Sequence, residues 1–482
     1  MRFKDVEIQK RSETMWEIPR EGGMRVPGLI FASEAMMGDI LRDEAVRQVM
    51  NVAHLPGILK YSIGMPDIHW GYGFPIGGVA AMDVEEGVVS PGGVGYDINC
   101  GVRLLRSELP IDTLRPKLRE LVAALHREVP SGIGSKGFVR LTKEDEERVL
   151  TEGSRWAASR GFASAEDLVC TESGGKLPGA DPGAVSAVAK KRGRDQLGTL
   201  GSGNHFLEID EVVEVFDEEA ARVFGLFPGQ AVVLVHSGSR GLGYQVCDDY
   251  LATMVDYMRR NAIDLPDRQL ACAHIRSPEG KAYLSALTAA ANYAFANRQL
   301  LAHQARETFL RFLGMGPRDL GMRLVYDCGH NNAKFEVHEV DGAKRKVLVH
   351  RKGATRCFPA GNEEIPEVYR GVGQPVLIPG EMGNASFVLA GSPGAMEVSF
   401  GSTCHGAGRR MSRTQAKASV RGKSIIQEME KRGVIVACAS HKTLAEEIPE
   451  AYKDVSQVVD VVHEAGIARK VARLKPVAVV KG

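Results

Sequence analysis

Arg323-Leu324-Val325-Tyr326-Asp327-Cys328-Gly329-His330-Asn331-Asn332 runs from a strand-like apolar segment straight into a thiol, a glycine and an imidazole. Residues 323–326 carry the branched and aromatic side chains that suit a strand, so Cys328 and His330 stand at a strand end. Just beyond, residues 334–340 and 345–349 flank Asp341-Gly342, a pair that favours the left-handed backbone of a two-residue hairpin turn. Further strand-like runs fall at residues 78–82, 231–235, 375–378 and 434–437. Helical spacing occurs at residues 39–54, with Asp39 as N-cap and Ile40, Leu41, Ala45, Val46, Val49 and Met50 on one side. Leu114, Leu118, Leu121, Val122 and Leu125 mark another helix. Residues 283–313 are apolar and Ala-rich over many turns, the pattern of a long buried helix. Strands and helices without regular βαβ alternation predict an α+β fold. With no repeat, low-complexity segment or clear domain boundary, residues 1–482 are expected to form a single large mixed domain with its site at strand ends.

The balance of 61 Lys plus Arg against 60 Asp plus Glu leaves no global field, so any polyanion must be held by local charge. No segment approaches the roughly 18 uninterrupted apolar residues that a membrane span needs, and residues 1–20 are charged. A soluble, intracellular, cytoplasmic chain is expected. Eight cysteines without a C-x-x-C pair make neither a disulfide framework nor a zinc ribbon, so each is judged singly.

Four more runs repeat the grammar of the first, pairing glycine with a nucleophilic or metal-grade side chain beside an apolar run. They are Gly95-Tyr96-Asp97-Ile98-Asn99-Cys100-Gly101, Gly201-Ser202-Gly203-Asn204-His205-Phe206-Leu207-Glu208, Val235-His236-Ser237-Gly238-Ser239-Arg240, and a loop around His405. Strand ends gather such residues in space while leaving them far apart in sequence. Asp97, Cys100, His205, His236 and His330 offer one carboxylate, one thiolate and three imidazoles. That is too many ligands for one tetrahedral ion, but it suits two ions sharing the thiolate, each with an open position. Two rivals use the same residues: a two-metal hydrolase, in which His405 has no covalent role, and an RNA-binding protein with structural zinc.

The fifth run, Ser402-Thr403-Cys404-His405-Gly406-Ala407-Gly408-Arg409-Arg410, reads as a phosphate-handling loop. Its glycines let backbone N–H groups approach an anion, its arginines fork onto phosphate oxygens, and a neutral histidine can attack phosphorus. Arg409, Arg413, Lys417 and Arg421 then recur every four residues with Arg410 and Lys423 alongside, which predicts one basic helical face for nucleic acid or nucleotide phosphate. The alternative is a face solvated or salt-bridged in the folded protein. Gly422-Lys423-Ser424 imitates the end of a P-loop but lacks its first glycine, and 132–137 fits the dinucleotide pattern without a preceding strand.

In these five runs, taken together and in this order, the chain resembles the RtcB family of RNA-splicing ligases. The resemblance implies an enzyme that joins RNA ending in a 2′,3′-cyclic phosphate or 3′-phosphate to RNA with a 5′-hydroxyl, using GTP and two Mn²⁺ ions, on substrates such as tRNA halves. It implies His405 as the residue that carries covalent GMP. It implies Asp97, Cys100 and His205 on one manganese and Cys100, His236 and His330 on the other. Around the guanylate it implies Asn204, His205, Phe206, Leu207, Glu208, His330, Asn331, Pro379, Gly380, Glu381, Met382, Ser386, His405, Gly406, Ala407, Gly408, Tyr452 and Lys481. Glu381 stands where the family often has serine. In some organisms the family works with a small helper protein, archease.

Overall fold

Register, more than strand length, brings the five runs together. In the computed structural model, which describes residues 1–421 and 424–482, the larger sheet has eight strands. Seven lie in the order Arg323–Gly329, Gly101–Pro110, Gln230–Ser237, Phe206–Val215, Ala468–Lys481, Ser386–Gly391, Pro375–Ile378, and Ile435–Cys438 adds in parallel to Ala468–Lys481. The first and last of the seven touch, so the sheet nearly closes. Gly101 pairs with both Ser237 and Gly329, and Phe206 with both His236 and Lys481. The ends are therefore flush at one edge. Residues next to those pairs, Cys100, His205 and His330, are delivered to one place.

Gln230–Ser237 shows why such strands form. All its residues are buried, Val232 and Leu234 in one apolar cluster and Val233 and Val235 in another, so an unbroken apolar run is the pattern of a strand covered on both faces. A second sheet orders Asn331–Val340, Ala343–Lys352, Ile76–Asp83, Ile58–His69, Gly28–Phe31, Met15–Ile18 and Gln9–Lys10. Its hairpin turns at Asp341 and Gly342, both at positive φ (52° and 74°), as expected of a type I′ turn. His330 sits where the chain leaves the first sheet for the second. The α+β architecture anticipated from the sequence is the one observed.

The helix expected at 283–313 spans Pro278–Leu313, opened by a Ser277 hydroxyl that accepts from Gly280 N–H and closed by left-handed Gly314. Its buried polar residues are committed to neighbours. Arg298 donates to the carbonyls of Asn99 (2.7 Å) and Ser237 (3.1 Å) and forks onto Asp327, which also accepts from Arg103 at 2.7 Å. All three charged side chains are fully buried, and although burial pushes the Asp327 carboxyl up, the two guanidiniums hold it below its usual range. Removing one partner from a buried ionic group is far worse than exchanging the whole group. Asp327→Ala should therefore lose roughly 3–5 kcal/mol in a denaturant melt, whereas a loss under about 1 kcal/mol would mean that water reaches the guanidiniums.

The single helix expected at 39–54 is two, Glu34–Ile40 and Ala45–Val52, and Asp39 lies in the last turn of the first instead of capping anything. Asp43 Oδ1 accepts from Ala45 N–H, a local bond that competes with helix continuation. The apolar side was read correctly, with Ile40, Ala45, Val46 and Val49 buried. The helix through Leu114–Leu125 is likewise broken, into Ile111–Leu114 and Leu118–Glu128 around Pro116. Residues 132–137 form a loop after a helix, as expected, while the Gly422 and Lys423 of the P-loop-like triplet and basic stripe lie outside the described residues.

Candidate active site

Cys100 is the hub of the edge. Its Sγ lies 3.3 Å from the Nε2 atoms of both His205 and His236, His236 Nε2 is 3.4 Å from His330 Nε2, and Asp97 Oδ2 is 2.9 Å from His205 Nε2. Two three-residue groups result, Asp97, Cys100 and His205, and Cys100, His236 and His330, with Cys100 common to both. Asn99 adopts a positive φ of 53° to turn Cys100 inward, and Gly238 is needed because a Cβ there would stand 2.3 Å from Asp97 Oδ1.

The donors suit cations. His205 Nδ1–H donates to the Leu200 carbonyl at 2.9 Å, which leaves the Nε2 lone pair facing Cys100 and Asp97. Burial holds His236 and His330 well below the ordinary histidine range, keeping them neutral as ligands must be. Burial, then the Asp97 charge, pushes the Cys100 thiol well up, while the neighbouring His205 and Arg240 outweigh burial and hold Asp97 below its usual range. Soft sulfur, neutral nitrogen and one carboxylate make a fit donor set for divalent transition metals.

His405 adjoins this cluster, its ring centroid 4.8 Å from that of His330. It ends a three-residue strand, Ser402–Cys404, that pairs with Ala354–Arg356. Asp67 fixes it, one buried carboxylate oxygen accepting both His405 Nδ1–H (2.6 Å) and His405 N–H (3.0 Å). Nε2 is left with a free lone pair. Burial raises the Asp67 carboxyl, but its interactions with His405 outweigh burial and hold it low. Gly408, at φ 71°, crosses so close to the strand Ile58–His69 that a Cβ would meet the Asp67 carbonyl oxygen at 2.2 Å.

A cleft opens from His405, lined by Asn204, Phe206, Glu208, Pro379, Gly380, Glu381, Met382, Gly406, Ala407, Gly408, Tyr452 and Lys481, all anticipated for a nucleotide. Lys481 is buried, donates to the Gly203 carbonyl at 3.2 Å and lies over the Phe206 ring. Burial, with Asp210 adding, pushes the Glu208 carboxyl up against the pull of Lys481. Glu381 already accepts from Gly383 N–H at 2.6 Å, and burial pushes it up to about 6. Five anticipated residues stand apart from the lining. Leu207 points into the core behind the strand, Ser386 holds the turn by accepting from Gly380 N–H, Asn331 donates to the Asp97 carbonyl, and His205 and His330 belong to the candidate metal cluster.

The basic stripe is not one helical face. The helix spans only Arg413–Ser419, so Arg409 and Arg410 lie in the loop before it and Arg421 beyond it. Acidic residues distant in sequence neutralise most of it. Arg409 pairs with Glu447 at 3.3 Å and covers Tyr452, Arg413 pairs with Glu446 at 3.4 Å, and Lys417 with Glu446 at 2.5 Å. Sequence reasoning also missed Asp67, His69, Arg298 and Glu447. Met65-Pro66-Asp67-Ile68-His69 ends a strand with chemistry-bearing residues and could have been found by the same grammar. Nothing local marks Arg298 or Glu447.

Residues that could hold metal ions thus converge beside an imidazole oriented by a buried carboxylate. A family profile described as tRNA-splicing ligase RtcB matches residues 48–482. Proteins named tRNA-splicing ligase RtcB from Thermococcus kodakarensis and Archaeoglobus fulgidus are each 54% identical to the chain, over 99% of both chains in the first case and 98% and 99% in the second. One from Aeropyrum pernix is 51% identical over 97% of this chain and 98% of its own. The chain belongs to the RtcB family and is an RNA ligase.

Proposed function

We propose that residues 1–482 act as one catalytic unit, a cytoplasmic GTP- and manganese-dependent ligase that joins RNA 2′,3′-cyclic phosphate or 3′-phosphate ends to 5′-hydroxyl ends, in tRNA splicing or RNA repair. The observation that carries this reading is the His405 ring, tied at Nδ1 by Asp67 and free at Nε2, beside a cleft lined by residues anticipated around a guanylate. A 3′-phosphate has no leaving group for attack by a hydroxyl, so it must first be activated. His405 Nε2 attacks the α-phosphorus of GTP and pyrophosphate leaves. Water opens any cyclic phosphate. An oxygen of the RNA 3′-phosphate takes the GMP from His405, and the 5′-hydroxyl then attacks that 3′-phosphorus with loss of GMP. Asp97, Cys100, His205, His236 and His330 would hold two manganese ions, which act as Lewis acids that offset phosphate charge. Lys481 would donate to guanine O6, an acceptor that adenine lacks, with Glu208 and Glu381 within the same cleft as acceptors for its N–H groups.

A two-metal hydrolase would use the same ligands but gives the Asp67-tethered His405 no covalent role. Intact mass after incubation with GTP and Mn²⁺ separates the two. A GMP-sized gain is expected with GTP and not with ATP. No gain in metal-loaded protein would overturn the ligase chemistry and favour hydrolysis.

A further inference from the structure

We propose that Trp70 and Arg410 form a landing site for single-stranded RNA beside the active-site cleft, a nucleobase stacking on the indole and a phosphate resting on the guanidinium. The inference rests on the ligase reading above and adds to it a binding surface outside the metal cluster and nucleotide cleft. Trp70 is 62% exposed, whereas Trp16 and Trp156 are buried at 3% and 0%. So large an apolar face left in water asks for a partner with a flat face of its own, and any nucleobase supplies one.

Its position ties it to the reaction. His69, the preceding residue, lines the cleft beside His405, and its Nδ1 lies 3.4 Å from the backbone nitrogen of Arg409. Trp70 then walls a separate groove together with Ile68, Arg42, Arg409, Arg410 and Lys453. The same loop that carries His405 thus carries Arg410 into this groove.

Place and charge together select Arg410: of the described residues of the stripe only Arg409 and Arg410 line this groove, and Arg409 is paired. Glu446 and Glu447 satisfy Arg409, Arg413 and Lys417, but Arg410 is exposed and has no acidic partner among the described residues, its place fixed by its backbone N–H donating to the Ala451 carbonyl at 2.9 Å. The groove also contains Asp39, Asp43 and Glu44, which would repel phosphate if unpaired. Each is engaged. Asp39 pairs with Arg42, Glu44 with Lys4 at 2.7 Å, and Asp43 accepts from Ala45 N–H. Lys453 is spent on the carbonyls of Pro66 and Ile68. What remains available is one indole face and one free guanidinium, the pair of contacts that a stacked nucleotide uses.

Trp70 is also its own reporter, since the other two indoles are shielded. Full-length protein is titrated separately with a short single-stranded RNA ending in 3′-phosphate and with one beginning in 5′-hydroxyl, following tryptophan emission. Quenching by one of them is expected, and which one tells which strand lies here. Trp70→Phe should abolish the signal but keep a stacking face, leaving KM for that strand within about twofold, while Trp70→Ala should raise it about tenfold. Arg410→Gln should flatten the salt dependence of the same KM. Absence of quenching by both strands, or an unchanged KM in Trp70→Ala, would overturn the proposal. Failure of the GMP adduct in the unaltered protein would instead strike the ligase chemistry, and the quench would still report directly on RNA at Trp70.

Discussion

His405→Ala is expected to form no covalent guanylate with GTP and Mn²⁺ and to leave 3′-phosphate ends unsealed, yet to seal RNA supplied with a pre-guanylylated 3′ end. The nucleophile is needed only before activation, and loss of a ring that ligates nothing leaves Asp97, Cys100, His205, His236 and His330 in place. Asp67→Asn tests the cause of that reactivity. Its carboxylate accepts from Nδ1–H at 2.6 Å, which fixes the tautomer and stabilises the positive charge that the ring gains as Nε2 bonds to phosphorus. In the serine proteases, loss of the corresponding carboxylate charge costs about 10⁴ in rate, and an adduct rate lower by on the order of 10³ to 10⁴ is expected here. Single-turnover mass spectrometry reads both variants. If Asp67→Asn forms adduct at the unaltered rate, the histidine is oriented by something else.

Cys100→Ala is expected to lose both metal ions, and with them all ligation. Cys100 Sγ is the atom that the two ligand groups share, so its removal opens two coordination shells, where each of Asp97, His205, His236 and His330 opens one. Loss of an outer partner alone typically costs 10–100-fold in metal affinity, and loss of a shared ligand should cost on the order of 10²-fold or more at each ion. Cys404→Ala is the control. That thiol is equally buried, but it sits on the strand before His405 and in neither ligand group. Metal content by elemental analysis after gel filtration decides the matter, and an ion retained by Cys100→Ala but lost by Cys404→Ala would reverse the assignment.

Strand-end grammar was enough to name residues that converge in a cluster able to hold metal, because glycine followed by a ligand-grade side chain at the end of an apolar run is a local signature of backbone that must turn inward. It also located the hairpin and the long helix, whose periods are local properties too. Pairings that depend on distant chain were not legible. Nothing in residues 409–421 foretells that Glu446 and Glu447 will return to neutralise them, so four-residue spacing suggested a basic face where the folded chain has ion pairs. Ser412, an N-cap that accepts from Gln415 N–H, ends the pattern locally and was a readable sign that Arg409 and Arg410 precede the helix. Asp67, at the end of the strand Ile58–His69, was open to the strand-end reading, but its pairing was not, because the carboxylate meets His405 across 338 positions of chain.

Arg298 reaches from the central helix to the carbonyls of Asn99 and Ser237 and to Asp327, which are neighbours, respectively, of Cys100, His236 and the 328–330 turn. One permanently charged side chain thereby fastens the ends of three strands before any ion arrives. Metal exchange would then be a local event that needs no refolding. Selectivity among divalent ions would become a matter of which one tolerates the spacing so fixed, and the side chain that enforces it is in neither ligand group.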